Sequence, residues 1–372
     1  MIRSSAVAAA ALTVVVLMSH TACPMVYHVD IGGGGDFTAI KPAVQAAASG
    51  DTIQVAAGTY AGEDNRDIDF GDKNILLEGE GSVIIDCEGM GRAFELTSDQ
   101  IDTSTRIRWV TIINGSARAF SEDGGGAILC QDASPIIEYC SFQLCDGEFG
   151  GAVKLLRSDA VVRYSRFEDN TADYGGAIAT AYGAPFFDMN HVWGNAASVA
   201  GGAARCYRGE PRIYRMNVVL NSCAGGGAAV EFHGSPIAPD LTNSIIAFST
   251  QGSGVSGGTS GVINHCIVYG NAGGDDLPTY AGDNLFVDPY FCSVYDYQSG
   301  VCEESQALHT VNPWGAYIGY VSVNCYAPCE SPVEGTSWGM VKSLYREERG
   351  VAAQEGLTPR SSLEDRRTED SN

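Results

Sequence analysis

The sequence predicts an all-β fold, a right-handed parallel β-helix: a solenoid with about 25 residues per turn and an N-terminal capping helix. Gly-Gly-Ala triplets recur at intervals of 25, 25, 26 and 25 residues, beginning at Gly125, Gly150, Gly175, Gly201 and Gly226. Between them lie short runs of Val, Ile, Phe and Tyr broken by Gly, Asn, Asp and Pro, a pattern typical of strands and turns. No repeat carries an apolar stripe at helical spacing.

The chain begins with a segment typical of export. Residues 1–22 combine Arg3, an apolar run and a short polar end, which predicts a secretory signal peptide too short for a membrane span. Cys23 follows, and it leaves lipid anchoring open as an alternative to free secretion. We therefore expect a protein that is secreted or held on the outer cell surface, with its β-helix domain over residues 24–329.

The first element of that domain is a short helix within residues 36–48. Its apolar residues fall on one face, namely Phe37, Ile40, Val44 and Ala47. A coil of parallel strands exposes an apolar interior and unpaired strand edges at its ends, and both need a cover. We expect this helix to close the N-terminal end of the coil.

Within the repeats, equivalent residues of successive turns should stack in ladders ~4.8 Å apart. Counting from each alanine, the tenth, thirteenth and fifteenth positions are mostly apolar, as are Ile137, Cys140 and Phe142 in the first repeat. These positions are predicted to point into the coil. The glycine pairs should supply left-handed backbone angles and allow close approach of neighbouring turns.

The eighteenth position of three repeats is asparagine, at Asn170, Asn195 and Asn221. Asparagine tolerates left-handed backbone angles and can hydrogen-bond along its own stack. We expect this row to form turns, with a purely structural role.

After the repeats, residues 312–325 are expected to close the last turn. Residues 330–346 leave the repeat pattern and should form a C-terminal cap segment. Residues 347–372 are highly charged and poor in aromatic and β-branched residues, so we expect a disordered tail.

The chain has 12 cysteines, which in an exported protein invites disulfides. The bonded group is expected near the end of the coil, with its connectivity open, and comprises Cys292, Cys302, Cys325 and Cys329. Cys130 and Cys206 share a repeat position but lie three turns apart, roughly 14 Å, which a disulfide does not span. Cys140 and Cys266 fall on inward positions and should behave as small core residues.

These residues carry a resemblance to known proteins. The combination of Gly-Gly-Ala-Ile or Gly-Gly-Ala-Val with Phe-x-x-Asn, as at 175–178 and 167–170, resembles the repeats of chlamydial polymorphic outer-membrane proteins. Residues 36–60 look like the N-terminal cap of bacterial right-handed parallel β-helix proteins of the pectin-lyase-like superfamily. The resemblance covers about residues 26–325 and implies the fold. It does not specify the function, since that superfamily holds lyases, glycosidases and adhesins.

The charge balance excludes some partners. With 22 Lys and Arg against 45 Asp and Glu, the formal net charge is −23, which argues against nucleic acid and anionic membrane surfaces. Acidic loops such as residues 273–276 could hold calcium at the surface, but no ordered calcium-binding loop or other metal site is recognisable. We expect no cofactor, no transmembrane span and a monomer.

Enzymatic motifs are weak. The Gly/Ser loop at 252–258 matches a phosphate-binding pattern and a hydrolase pattern. Both sites require a helix after the loop, and the sequence predicts none there. We find no carboxylate series like that of polygalacturonases. The segment Arg-Gly-Glu-Pro-Arg-Ile-Tyr-Arg at 208–215 only approaches the Arg-x-Pro-x-x-Arg of pectate lyases. A polysaccharide lyase or glycoside hydrolase therefore remains the alternative to a non-catalytic protein.

Residues 154–215 are locally basic, with eight Lys and Arg against six Asp and Glu. Lys154 shares its repeat position with Arg205, and Arg157 shares its position with Arg208, two turns on; Tyr182 stands between the latter pair. If the coil forms, these two arginines lie ~10 Å apart in one row with the aromatic ring. Guanidinium groups bind carboxylate or sulfate and a ring can stack on a sugar, so the row fits an anionic glycan.

The predicted glycan-binding residues are Lys154, Arg157, Tyr182, Arg205, Arg208, Arg212 and Arg215. The alternative is structural: these cations would only pair with Glu138, Glu168 and Asp188 on neighbouring ladders. We expect a secreted or surface protein, non-catalytic, that binds or adheres to extracellular polysaccharide.

Overall fold

The computed structural model describes residues 23–118, 124–292, 300–325 and 329. They form an all-β parallel solenoid of about 11 turns, with about 25 residues per turn and almost no helix, which confirms the predicted fold class. Within these residues, no helix is long and apolar enough to span a bilayer. The predicted signal peptide (1–22), cap segment (330–346) and charged tail (347–372) lie outside the described residues.

The largest sheet, sheet A, has 17 parallel strands in two adjacent columns. Two long strands, Thr52–Ala61 and Leu76–Asp86, run through both columns. Column A1 also contains Val26–Val29, Arg106–Arg108, Ile136–Glu138, Val161–Arg163, Phe186–Asp188, Arg212–Tyr214, Asp240–Thr242 and Val262–Asn264. Column A2 contains Thr111–Ile113, Ser141–Gln143, Arg166–Glu168, His191–Trp193, Asn217–Val219, Ile245–Ala247 and Ile267–Tyr269.

Three further sheets complete the described strands. Sheet B stacks Ile68–Asp69, Phe94–Leu96, Ile128–Gln131, Val153–Leu156, Ile178–Gly183, Ala204–Gly209, Val230–Ile237 and Val255–Gly257. Sheet C stacks Asp146–Phe149, Thr171–Tyr174, Ala196–Ala200 and Ser222–Cys223. A separate pair joins Gly300–Cys302 to Ser322–Cys325. A full turn thus passes through sheet B, column A1, column A2 and sheet C.

The interior is a continuous ladder of apolar side chains, as the repeat positions predict. Ile137, Cys140 and Phe142 are at most 2% exposed. Phe142 stacks on Phe167 of the next turn with ring centroids 4.8 Å apart. Each turn therefore buries its inward residues against the turns above and below, and no single repeat encloses a core by itself.

The glycine pairs act as the sequence predicts. Gly175 has a φ of 69° at the corner between sheets C and B. Its neighbour Gly176 has no room for a side chain, because a Cβ would lie 2.2 Å from the carbonyl oxygen of Gly202. The first glycine permits the corner and the second permits the close stacking of turns.

The asparagine row is buried, and its side chains bond along the stack as predicted. The Asn170 backbone N–H and Nδ2 both donate to Asn195 Oδ1, at 2.9 and 2.8 Å, and Asn195 bonds Asn221 in the same way. The expected left-handed angle is displaced by one residue: Asp169, with a φ of 54°, makes the corner. Asparagine serves here to satisfy buried backbone groups rather than to permit an unusual φ.

The N-terminal end of the coil is closed by helix α1 (Ile40–Ala46), followed later by a single 3₁₀ turn at Glu63–Asn65. Ile40, Ala43 and Val44 are fully buried against the coil. Asn65 Oδ1 accepts a hydrogen bond from the backbone of Ile40 at 2.9 Å, which holds the start of the helix in place.

The C-terminal end is built differently from the sequence prediction, and the expectation that residues 312–325 close the last turn is wrong. The end of the core is covered by Leu277, Tyr280 and Ala281, and the Tyr280 hydroxyl donates to the Gly257 carbonyl at 3.0 Å. Residues 300–325, which we call the strap, instead fold back along the outside of sheet A. Tyr320 of the strap exchanges two hydrogen bonds with the Asn217 side chain, at 2.9 and 3.0 Å.

The strap creates a second apolar cluster outside the coil. Coil residues and strap residues both contribute to it, and its buried members are Trp193, Val219, Leu220, Ile245, Ala247, Phe248, Ile267, Phe291, Val301, Ala307, Leu308 and Ile318. Disulfides join Cys292 to Cys325 and Cys302 to Cys329 at the base of the strap. The four cysteines singled out in the sequence thus pair with one another, and they fasten the strap rather than the last turn.

Candidate functional site

The predicted glycan-binding residues divide into three locations. Lys154 and Arg205 lie on the outer face of sheet B in one row, separated by Ala179 on the intervening turn. Arg157, Tyr182 and Arg208 occupy the next row, at the corner where sheet B ends. The strand register therefore brings these five together.

Arg212 and Arg215 lie beyond that corner, on or beside column A1. The Arg212 guanidinium lies 5.0 Å from the Phe186 ring, whose strand is the direct neighbour of its own. Arg215 pairs with Asp188 at 3.1 Å. Neither residue lines the groove described next.

A groove of about 450 Å³ crosses the outer face of sheet B. Its lining residues come from sheets B and C: Glu148, Phe149, Lys154, Leu156, Ala179, Thr180, Ala181, Arg205 and Tyr207. The floor is low because the strand Ile178–Gly183 presents Ala179 and Ala181 outward. A volume of this size is within the range of small-ligand sites.

A column of rings and cations lies at one end of the groove, and Phe149, Lys154 and Arg205 of this column line it. Phe149 and Tyr174, each just before a glycine pair, stack with centroids 5.1 Å apart. Lys154 Nζ lies 5.0 Å from the Phe149 ring, and the Arg205 guanidinium lies 4.4 Å from the Tyr174 ring. Each cation therefore covers one face of a ring, an arrangement that fixes both long side chains at the groove.

Two guanidinium nitrogens near the groove are buried and have no hydrogen-bond acceptor among the described residues: Nε of Arg205 and Nε of Arg208. Arg205 Nε is 3.6 Å from the Glu231 carboxylate, close enough for an ion pair but too far for a normal hydrogen bond. Arg208 lies over the rings of Tyr182 and Tyr207, at 5.7 and 5.2 Å, and forms no ion pair within the described chain. Buried donors normally have acceptors, so these two are unusual, and each Nε is itself shielded from solvent, so that an external anion reaches it only if the side chain moves.

Arg157 differs from these two residues. Its guanidinium donates two hydrogen bonds to Asp132, at 2.6 and 2.7 Å. These bonds hold the pKa of Asp132 below its usual value and raise that of Arg157. Both side chains are exposed, so an anionic ligand would have to compete with Asp132 for Arg157.

The structural alternative holds for part of the basic segment. Glu138 pairs with Arg163 at 2.6 Å, and Asp188 pairs with Arg215. Glu168 accepts a hydrogen bond from Gln143 at 3.1 Å, and burial raises its pKa. Glu138 and Asp188 thus neutralise arginines on column A1, whereas Lys154, Arg205 and Arg208 face the other side of the corner.

Other motifs noted in the sequence have structural explanations. Asp275 of the acidic loop accepts hydrogen bonds from the backbone of Gly270 and Asn271 at 2.9 and 3.0 Å, which orders that loop. The Gly/Ser stretch at 252–258 contains the edge strand of sheet B, Val255–Gly257. No group of three or more potential metal ligands was found among the described residues.

The sequence did not identify Phe149, Tyr174, Tyr207 or the alanine floor as parts of the site. A signal was present, since Phe149 and Tyr174 share the position before a glycine pair and Ala179 and Ala181 alternate along one strand. That signal becomes readable only when the outward positions of three neighbouring turns are compared.

No protein-family model matches this chain, and no curated protein is found to be similar to it in sequence.

Proposed function

We propose that this protein is an exported β-helix protein that binds extracellular anionic polysaccharide without cleaving it. The observation that carries the proposal is a groove with Arg205 in its lining, Arg208 beside it and a column of aromatic rings at one end. A carboxylate or sulfate in the groove would accept charge-assisted hydrogen bonds from guanidinium groups, and such bonds are among the stronger ones. Lys154 adds a third positive charge at the same groove.

Export is supported by the cysteine chemistry. Two disulfides fasten the strap, and disulfides persist mainly in oxidising compartments. The remaining described cysteines other than Cys23 are buried, and burial raises the pKa of Cys140, Cys145 and Cys266 to about 12, which keeps these thiols unreactive. We place the protein outside the cell, in the pectin-lyase-like superfamily, on the strength of this chemistry, the fold and the repeat pattern.

Binding rather than cleavage is favoured by the composition of the groove. Glycoside hydrolysis ordinarily uses two carboxyl groups flanking the scissile bond. Among the residues that line the groove, Glu148 is the single carboxylate. Arginine stays protonated in proteins, so Arg205 and Arg208 are better suited to hold an anion than to abstract a proton.

The test begins with a glycan-array screen of the purified protein. We expect acidic polysaccharides to bind and neutral ones not to, with affinity falling as salt rises, because ionic contacts are screened beyond a Debye length of roughly 8 Å at physiological ionic strength. The double variant Lys154→Gln with Arg208→Gln, which removes one cation from the groove lining and one beside it, should lose this binding at an unchanged melting temperature.

The matched control is the double variant Arg166→Gln with Arg212→Gln. It removes the same charge from two exposed arginines that form no ion pair within the described chain and lie on sheet A. Equal loss in both double variants, or equal binding of neutral and acidic glycans, would refute a site at the groove. Release of a product with a 4,5-unsaturated uronic end would replace the binding function by a lyase activity.

A further inference from the structure

The groove has a direction, which is set by the side chains of three successive turns. The middle turn presents Ala179 and Ala181, while the turns on either side present Lys154 with Leu156 and Arg205 with Tyr207 in register. Turns are ~4.8 Å apart, so the two ridges of large side chains stand ~10 Å apart. The depression between them follows the strand Ile178–Gly183 and therefore runs across the axis of the coil.

The two ends of the depression differ. At one end lie Glu148 and the stacked rings of Phe149 and Tyr174. Beyond the other end, at the corner, stands Tyr182, which is 49% exposed and makes an edge contact with Tyr207 at 5.5 Å. A six-residue strand is roughly 17–20 Å long, so the depression can hold only a short stretch of a chain.

A ligand running along the axis would meet a different surface. The Phe149 and Tyr174 ring faces are turned along the axis, where they cover one another and are covered by Lys154 and Arg205. Such a ligand would therefore find ring edges and would have to cross both ridges. Across the axis it would lie on the alanine floor, with a cationic side chain on either side.

We propose that a short stretch of anionic glycan lies in this groove across the coil axis, one chain wide, with acidic groups on Arg205 and Lys154. Sugar hydroxyls can donate to the Glu148 carboxylate, which explains how an acid is tolerated in an anion site. This inference rests on the proposed function and specifies the orientation and length of its ligand. If the ligand lies across the axis, a short oligosaccharide should be long enough to bind. A ligand that lay along the axis would need contacts with many turns.

The test fills the groove without changing its charge. Ala181→Leu should lower the affinity for the anionic polysaccharide found in the array by about tenfold or more, because the added isobutyl group occupies the floor. Ala179→Leu should act in the same way. Short acidic oligosaccharides prepared from that polymer should compete with it in the parent protein and should bind neither variant.

The matched control is Ala196→Leu, the same substitution at a half-exposed strand position on sheet C. It should bind like the parent. Ala181→Leu and Ala196→Leu should keep the parent's melting temperature, whereas Ala179 is only 6% exposed and its enlargement should lower the melting temperature. If Ala179→Leu and Ala181→Leu bind normally while the Lys154/Arg208 double variant does not, the orientation is wrong and the proposed function stands. If the parent binds no anionic glycan at all, both are overturned.

Discussion

Two stretches of column A2 share one inward ladder but differ on their outer face, where apolar residues appear in only one of them. The strands Ser141–Gln143 and Arg166–Glu168 present polar side chains outward. In the next turns, Trp193, Val219 and Ile245 take outward positions and are at most 2% exposed, because the strap covers them. The inward residues specify the coil, whereas the outer face specifies what lies against it.

The largest effect on stability is expected at Trp193, which is covered by the strap. Its register partner on the uncovered turn is Glu168, so the two positions can be compared directly. Trp193→Ala should lower the free energy of unfolding by about 3–5 kcal/mol, as truncations of large buried aromatics do. Glu168→Ala should cost less than about 1 kcal/mol, since that face carries no strap. Urea denaturation of both variants measures the difference.

A core reference belongs in the same series. Phe167→Ala lies on the uncovered turns but points inward, and it should cost about 3–5 kcal/mol as well. If Trp193→Ala proves neutral while Phe167→Ala does not, the strap contributes no packing energy and the second apolar cluster is incidental.

The coil was predictable from sequence because its information is periodic. Apolar residues recur at the repeat positions of Ile137 and Phe142, and such a fixed period indicates a stack of turns with these residues inside. The strap was not predictable, because Leu308 and Ile318 repeat nothing and their partners lie many residues earlier in the chain. The left-handed backbone angle was expected at Asn170 because asparagine favours such angles, but Asp169 adopts it. Asn170 is needed instead for its hydrogen bonds along the buried stack.

The groove shows the same limit. Shared repeat positions correctly aligned Arg157, Tyr182 and Arg208, since register follows from the period. Which arginines form ion pairs depends on acids elsewhere in the coil. No spacing rule shows that Asp132 pairs with Arg157 or that Arg208 has no ion-pair partner among the described residues.

The second prediction separates the strap from the coil. Replacing all four cysteines, Cys292, Cys302, Cys325 and Cys329, by serine should destabilise the strap by about 2–4 kcal/mol per lost loop constraint. Exchange of backbone amide hydrogens should become faster over residues 300–325 and remain slow in the strands of sheets B and C. A coil that unfolds together with the strap would mean that the two form one cooperative unit.

The third prediction concerns His191, at the border between uncovered and covered turns. Burial, together with the Arg166 charge, lowers the pKa of His191 to about 3. The unfolded chain, with a histidine pKa of about 6.5, binds a proton that the folded chain excludes. The free energy of unfolding should therefore fall as pH falls from about 6.5 towards 3.

Unfolding by urea at pH 7 and pH 4 checks this, with His191→Phe as the comparison. The variant keeps a ring next to Tyr320, 5.3 Å away in the parent, but has nothing to protonate. It should lose less stability than the parent between the two pH values. An identical loss in both proteins would assign the acid sensitivity to carboxylates elsewhere.

The smallest effect on stability is expected at Arg157, a residue with a left-handed backbone conformation at the corner beside the groove. Arg157 has a φ of 50° and is exposed, whereas Phe248 has a φ of 56° and is buried under the strap. Asparagine adopts such angles more readily than most residues, so Arg157→Asn relieves the backbone while it removes one exposed ion pair. The melting temperature should stay unchanged, and affinity for the anionic glycan should fall. Phe248→Asn gains the same backbone relief but empties part of the second apolar cluster, so its melting temperature should drop. A clear drop for Arg157→Asn would instead show that its pairing with Asp132 holds the corner together, and the arginine would then belong to the fold rather than to the binding surface.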